Sequence, residues 1–281
     1  MTTLDEHFIL SNGVRIPKIG FGTWQIGEGE DGARAVLAAL DAGYRHIDTA
    51  RGYGNEATVA RAIVDSGIPR DEIFVTTKLP AEYKSAAEAH ASFQQSMAAL
   101  EMDYVDLYLI HAPWPWQDMG ADCTAGNAEV WAALEEIHSA GWARAIGVSN
   151  FEVAHIESLL ESATLTPQVN QIKCFVGTTQ RDLISYCQSK GILVEGFSPL
   201  ATGSLLDDAD VRVIADRYGK SVAQLCIRYV LQSGVLPLPK TTTPARMREN
   251  ADVDFDIIAA DMAFLDGLID IATEHHGPMS S

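Results

Sequence analysis

Eight short apolar segments, each followed by a stretch of helical periodicity, constrain this chain more than any other feature. The strand-like segments fall at 18–24, 46–50, 74–78, 105–111, 145–149, 168–171, 193–197 and 235–238. The helical patterns fall at 31–42, 55–66, 85–100, 127–140, 153–162, 180–190 and 221–232, with a further helix from Pro244 and another over 261–271. Parallel neighbours cannot be joined by a tight turn and need a crossover, which a helix supplies. Regular alternation therefore predicts a parallel sheet covered by helices. An open doubly wound sheet would carry GxGxxG after its first strand. Gly20-Phe21-Gly22 lacks the third glycine at that spacing. Eight units in about 250 residues fit a closed (β/α)8 barrel of the α/β class, the TIM barrel. No linker rich in Pro, Gly or Ser and no strong repeat divides the sequence, so residues 1–281 are read as one domain. Apolar runs either side of Ser11-Asn12-Gly13 predict an N-terminal β-hairpin ahead of the barrel, and the segments after Pro244 predict extra C-terminal helices.

Composition limits the partners. With 47% hydrophobic residues the chain can fill a large core. A net charge of −18 argues against nucleic acid and anionic membranes, so an anion would need a local basic cluster. No apolar run reaches the roughly 20 residues of a membrane span. The start of the chain is polar and acidic, unlike a signal peptide, and a cytoplasmic, monomeric protein is expected. Cys123, Cys174, Cys187 and Cys226 form no CxxC pair, and Cys187 and Cys226 sit in apolar helical patterns as reduced core residues. The eight histidines show no metal-ligand spacing, and the first strand lacks the His-x-His of many metal-dependent barrel hydrolases; no metal site is expected.

In a barrel, chemistry collects where strands end. Here the apolar segments end in Asp48, Lys78, His111, Ser149-Asn150, Asn170-Gln171 and Phe197-Ser198. The loop after Asp48 carries Tyr53 between Gly52 and Gly54, and Asn55 stands in place to cap the next helix. Each has an ordinary explanation: a solvated lysine, a turn histidine, a capping Ser-Asn pair. Together they make a proton donor. A phenol near pKa 10 is a weak acid, an adjacent ammonium stabilises its phenolate, a carboxylate holds that ammonium, and a neutral imidazole can orient a carbonyl.

The segment 43–56 (GYRHIDTARGYGNE), Thr76-Thr77-Lys78-Leu79, Leu109-Ile110-His111 and Ala145-Ile146-Gly147-Val148-Ser149-Asn150-Phe151 resemble the aldo-keto reductases, specifically their bacterial, diketogluconate-reductase-like members. So do Val169-Asn170-Gln171, Phe197-Ser198-Pro199-Leu200 and the stretch from Pro239-Lys240 to Glu249-Asn250. The resemblance implies a reversible NADPH-dependent reduction of aldehydes and ketones, with a catalytic tetrad of Asp48, Tyr53, Lys78 and His111. Tyr53 would be the general acid, Lys78 and Asp48 its tuning pair and His111 the carbonyl-orienting residue. Ser149, Asn150 and Gln171 would hold the nicotinamide carboxamide and Phe197 would stack on the ring. Thr23, Trp24, Asp48, Ser198, Pro199 and Leu200 would complete the nicotinamide half. Two stretches depart from the family pattern: 171–176, and Ala112-Pro113-Trp114 after His111.

The segment Lys240-Thr241-Thr242-Thr243-Pro244-Ala245-Arg246 supports an anion site independently of the resemblance. Thr243-Pro244 reads as an N-cap and first helical position, and a helix start flanked by Lys240 and Arg246 attracts anions. The resemblance makes that anion the 2′-phosphate of NADPH, with Glu249 and Asn250 near the adenine. Trp24 and Trp114 are expected to wall a substrate pocket around Tyr53 and His111, while Trp116 is expected only to pack against its loop. The short polar tail 272–281 predicts a partly open pocket and a broad carbonyl range. A nucleotide-binding partner protein with little turnover on the same barrel is the alternative.

Overall fold

The structure, a computed structural model, describes residues 2–269. Two antiparallel strands come first, β1 (His7–Ile9) and β2 (Arg15–Pro17), joined through Gly13 at φ +85°. Then β3 (Phe21–Gly22), α1 (Glu30–Asp41), β4 (His46–Asp48), α2 (Glu56–Ser66), β5 (Phe74–Leu79) and α3 (Ala86–Leu100) follow. Next come β6 (Val105–Ile110), α4 (Thr124–Ser139), β7 (Ala143–Ser149), α5 (Val153–Leu160), β8 (Val169–Lys173) and α6 (Arg181–Ser189). The chain goes on through β9 (Leu193–Phe197), α7 (Ala209–Arg217), α8 (Val222–Gln232), β10 (Leu236–Leu238), α9 (Pro244–Ala251) and α10 (Ala259–Gly267).

Strands β3 to β10 lie side by side in chain order, all parallel. The seam between β10 and β3 is joined by Gly20 N–H to Pro237 O at 3.1 Å and Gly22 N–H to Pro239 O at 3.0 Å. The expected (β/α)8 barrel with its N-terminal hairpin is the observed fold. The hairpin's Leu10 and Ile16 are buried with Phe74, Leu107, Ala145, Val169 and Leu236 from the strand starts. The amino end of the barrel is thus plugged by apolar side chains, which leaves the carboxyl end for polar groups.

Three expectations need revision. The segment 18–24 contributes only Phe21–Gly22 to the sheet, and Trp24 lies in the turn beyond it. Helix α7 was not anticipated, although Asp208 caps it by accepting from Val211 N–H at 2.9 Å and its buried Val211, Ile214 and Ala215 follow helical spacing. The expected helix 261–271 is observed as α10, ending at Gly267; residues 270 and 271 and the tail 272–281 lie outside the described residues. The four cysteines are free, and Cys174, Cys187 and Cys226 are buried.

Inward-facing positions alternate along each strand. Small residues allow the layers to close. A Cβ on Gly147 would lie 2.5 Å from Val169 O and 2.8 Å from Leu109 Cδ2. Because the first obstacle is backbone, Gly147→Ala should destabilise the barrel by about 1–3 kcal/mol through overpacking, read as a lower urea midpoint with unchanged m-value.

Candidate active site

The polar strand ends meet at the carboxyl mouth, and their geometry is set by one buried ion pair. Lys78, the fifth residue of β5, is fully buried, and its Nζ donates to Asp48 Oδ1 at 2.8 Å, Asp48 Oδ2 at 2.9 Å and Thr49 O at 2.9 Å. Asp48, at the end of β4, is 3% exposed. The same Nζ lies 3.5 Å from the Tyr53 hydroxyl and 5.1 Å from its ring centroid. Tyr53 ends a single 3-10 turn, Arg51–Tyr53, closed by Gly54 in the left-handed region at φ +71°. A side chain there would be strained, which explains the second glycine of the motif. The Tyr53 ring meets His111 edge to face, with centroids 5.6 Å apart.

The local sequence fixes these positions through bonds that sequence reading did not foresee. Asn55 occupies the N-cap position of α2, yet its side chain does not cap the helix. It accepts from Thr49 Oγ1 at 2.8 Å and donates to Thr23 O and Ile26 O at 2.9 Å each, tying the loops after β3 and β4 together. Thr23 is buried and donates its hydroxyl to Asp48 O at 3.0 Å. Ser149 and Asn150 likewise do not cap α5, whose N-cap is Glu152. Asn150 takes φ +61° and donates to His111 O at 2.9 Å and Ser149 Oγ at 3.0 Å, while Ser149 Oγ donates to Gln171 O at 2.9 Å. Gln171 Nε2 donates to Asp48 Oδ2 and to Glu195 Oε2, both at 2.8 Å. The amide nitrogens of Asn150 and Gln171 are therefore occupied, leaving their oxygens as the groups able to accept from a primary carboxamide.

The electrostatics follow from burial and from that pair. Burial pushes the His111 imidazole well below its usual pKa and the Lys78 charge pushes it further, so the ring is neutral. Burial opposes the charge on Lys78, but Asp48 and Tyr53 outweigh it and hold the ammonium above its ordinary range. The expected net lowering of the Tyr53 pKa is not found. Burial raises it, Lys78 lowers it, Asp48 raises it again, and the balance lies above the ordinary phenol value. Desolvation of the phenolate exceeds the attraction of one ammonium at 3.5 Å.

Around this centre, Trp24 is 37% exposed, and Trp114 and Trp116 are half-buried. Trp116 does more than pack its loop: it meets His111 edge to face at 5.4 Å and Trp114 at 5.2 Å. Phe197 closes β9, Ser198 follows at φ +52°, and Leu200 comes half-buried after the buried Pro199.

The basic cluster is separate from the ion pair, at the end of β10 across the seam. Pro244 opens α9 as expected, while Thr243 at the N-cap makes no side-chain cap bond; Thr241 Oγ1 accepts from Thr243 N–H at 3.2 Å. Thr242 and Arg246 are exposed, Lys240 and Thr241 half-buried, Glu249 exposed and Asn250 buried. Lys240 stands against Gly22, whose added Cβ would come within 3.8 Å of the lysine Cβ. Arg246 makes no ion pair among the described residues, which suits it to an incoming anion.

The sequence profile of the Aldo/keto reductase family matches residues 18–270. The chain is 42% identical over 268 residues to glyoxal reductase of Bacillus subtilis (strain 168), covering 95% of this chain and 94% of the relative. The crystal structure of an aldo/keto reductase from Brucella melitensis superposes with a TM-score of 0.87 at 39% identity, covering 94% of this chain and 99% of the other. That of Bombyx mori aldo-keto reductase in complex with NADP has a TM-score of 0.86 at 33% identity, covering 95% and 94%. This (β/α)8 barrel belongs to the aldo/keto reductase family. No helix among the described residues is long and apolar enough to cross a membrane.

Sequence reading missed Glu195 and His46, both fully buried inside the barrel. Strand alternation could have found them, since each shares a face with a residue already singled out. Burial pushes the His46 imidazole down to about 3 from 6.5, so the folded chain binds fewer protons there than the unfolded one. This stabilisation is complete above 6.5 and is lost as pH falls toward about 3. Urea midpoints measured from neutral to acid pH should therefore fall less steeply in His46→Gln than in the wild type.

Proposed function

We propose that this chain is an NADPH-dependent carbonyl reductase, reducing aldehydes and ketones to alcohols reversibly, with Asp48, Tyr53, Lys78 and His111 as its tetrad. The observation that carries this reading is a protonated phenol 3.5 Å from a buried, Asp48-bound ammonium and beside a neutral imidazole. The Bacillus subtilis relative is a glyoxal reductase and the Bombyx mori structure contains NADP, which supports the same chemistry here.

The donor set fits a nicotinamide nucleotide. The amide oxygens of Asn150 and Gln171, with the Ser149 hydroxyl, suit a carboxamide, and Phe197 offers a flat apolar face for the ring. Thr23, Trp24 and the Ser198–Leu200 turn would complete the nicotinamide half. At the other end, Lys240, Thr241, Thr242, Thr243 and Arg246 around the start of α9 suit a phosphate, with Glu249 and Asn250 beside it. The cofactor, when bound, supplies the hydride. His111 donates to the carbonyl oxygen and fixes its direction. Tyr53 holds its proton in the resting site and releases it as negative charge grows on that oxygen, while Lys78 stabilises the phenolate left behind. Asp48 keeps Lys78 charged and in place. Trp24, Trp114 and Trp116 form an aromatic wall that discriminates weakly, since one methylene there is worth about 1–3 kcal/mol. A broad carbonyl range follows, favouring aromatic and medium-chain aldehydes.

The test is a carbonyl panel read by loss of reduced-nicotinamide absorbance, run with NADPH and with NADH. Nucleotide binding without turnover on any carbonyl would favour the partner-protein alternative. Tyr53→Phe should retain NADPH binding and circular dichroism while reduction falls by at least about 10²-fold, the lower end of a positioned general acid's contribution. Arg246→Ala should weaken NADPH binding by roughly 1.5–3 kcal/mol, the range for a hydrogen bond to a charged group, and leave NADH nearly unchanged in fluorescence titrations. Equal weakening of both cofactors would remove the 2′-phosphate assignment.

A further inference from the structure

Among the described residues, the most deeply buried carboxyl group has no part in the mechanism above. Glu195 is the middle residue of β9, points into the barrel and is 0% exposed. Its register partners are Gln171 on β8 and the apolar Leu236 on β10. The charged or titratable groups that face it are Asp48 and His46 from β4 and Lys78 from β5. Gln171 Nε2 bridges the two carboxyls, giving one hydrogen to Asp48 Oδ2 and the other to Glu195 Oε2. Glu195 Oε1 has no hydrogen-bond partner among the described residues. The nearest basic atom is His46 Nε2 at 3.9 Å, beyond hydrogen-bond reach, and that ring already contacts Thr76 Oγ1 at 3.0 Å.

Two carboxyls therefore share one amide and lie near one cation, which of the two carboxyls is bonded only to Asp48. An imidazole that burial keeps neutral cannot supply a second positive charge. Two carboxylates in such a site cannot both ionise at neutral pH, so one retains its proton. Burial and then Asp48 push Glu195 up to about 8, which identifies it as the protonated member.

Resting on the reductase reading, we propose that Glu195 is a positioning residue for proton transfer at Tyr53. As the neutral acid it holds Gln171 against Asp48; as the carboxylate it adds a negative charge that keeps the proton on the phenol. Its ionisation releases one proton to solvent and leaves a second anion beside Lys78. A second anion makes the Tyr53 phenolate harder to form. Carbonyl reduction, which needs the phenol, then persists to higher pH. Alcohol oxidation, which needs the phenolate to accept the alcohol proton, is held back over the same range. The barrel thereby biases one site toward reduction in alkaline conditions without any group touching the substrate.

Two measurements test this, one independent of turnover. Infrared difference spectra of the free wild-type protein should show a buried carboxylic C=O band lost, with a midpoint near about 8, and absent from Glu195→Gln. That variant keeps the acceptor for Gln171 and lacks the charge. At about pH 6.5, where both forms are neutral, its reduction of an aromatic aldehyde should stay within about twofold of wild type. Its alkaline limb should move to lower pH by about half a unit or more, with alcohol oxidation gaining correspondingly. Glu195→Met, lacking acceptor and charge, should move the limb equally and lower kcat across the whole range. Absence of a titrating carboxylic band in the wild type, or superposable pH profiles for wild type and Glu195→Gln, would overturn the proposal. A wild type that shows the band and reduces no carbonyl would overturn the reductase reading itself.

Discussion

The Lys78–Asp48 pair is the interaction on which the rest of the mouth depends. Taking two charges out of water costs several kcal/mol per ion, and their attraction offsets this only if every remaining polar valence is met. Lys78 Nζ meets that requirement with both Asp48 oxygens, the Thr49 carbonyl and the Tyr53 hydroxyl. Asp48 is further bonded by Gln171, and Thr23 donates to its carbonyl. Each bond fixes another strand end or loop: β5 to β4, β8 to β4, and the turn after β3 to β4. The desolvation demand of one lysine thus explains why residues 23, 48, 49, 53 and 171, distant in sequence, form one network.

Backbone strain is concentrated on the same face. Seven described non-glycine residues have positive φ, and all except Glu101 lie in loops that leave the carboxyl ends of strands: Gln25, Asn150, Gln180, Ser198, Ala201 and Thr202. Such conformations persist only where surrounding structure over-determines them. At Asn150 the determinants are visible, a two-way bond to His111 O and Ser149 Oγ. The opposite end of the barrel, plugged by Leu10 and Ile16, is closed by apolar packing, consistent with a division between a stabilising floor and a polar mouth.

Much of this was legible in the sequence because the signals are local. Alternation of strand and helix needs only residue type and spacing, and Asn12-Gly13, Gly54 and Thr243-Pro244 mark turns and helix starts through backbone constraints that act over a few residues. The polar strand ends stood out for the same reason. The spacing of Val211, Ile214 and Ala215 behind the Asp208 cap was an equally local signal for helix α7 that went unread, whereas the exact ends of β3 were set by pairing with β4 and β10.

The sequence by itself determined the parallel barrel, the face on which its polar residues gather and the identity of the four residues at its centre. Only the tertiary structure decided how those groups are charged and what else joins them. Tyr53 lies above its ordinary pKa because burial there outweighs Lys78, a balance of desolvation against distance that no spacing encodes. Asn55, Ser149 and Asn150 look like helix caps in the sequence and act as cross-braces between loops, since a hydrogen-bonding side chain takes whichever partner the fold brings near. Trp116 reaches His111 through the fold of their shared loop, and Gln171, shared with Glu195, reaches Asp48 because closing a sheet into a barrel makes neighbours of residues more than 100 positions apart.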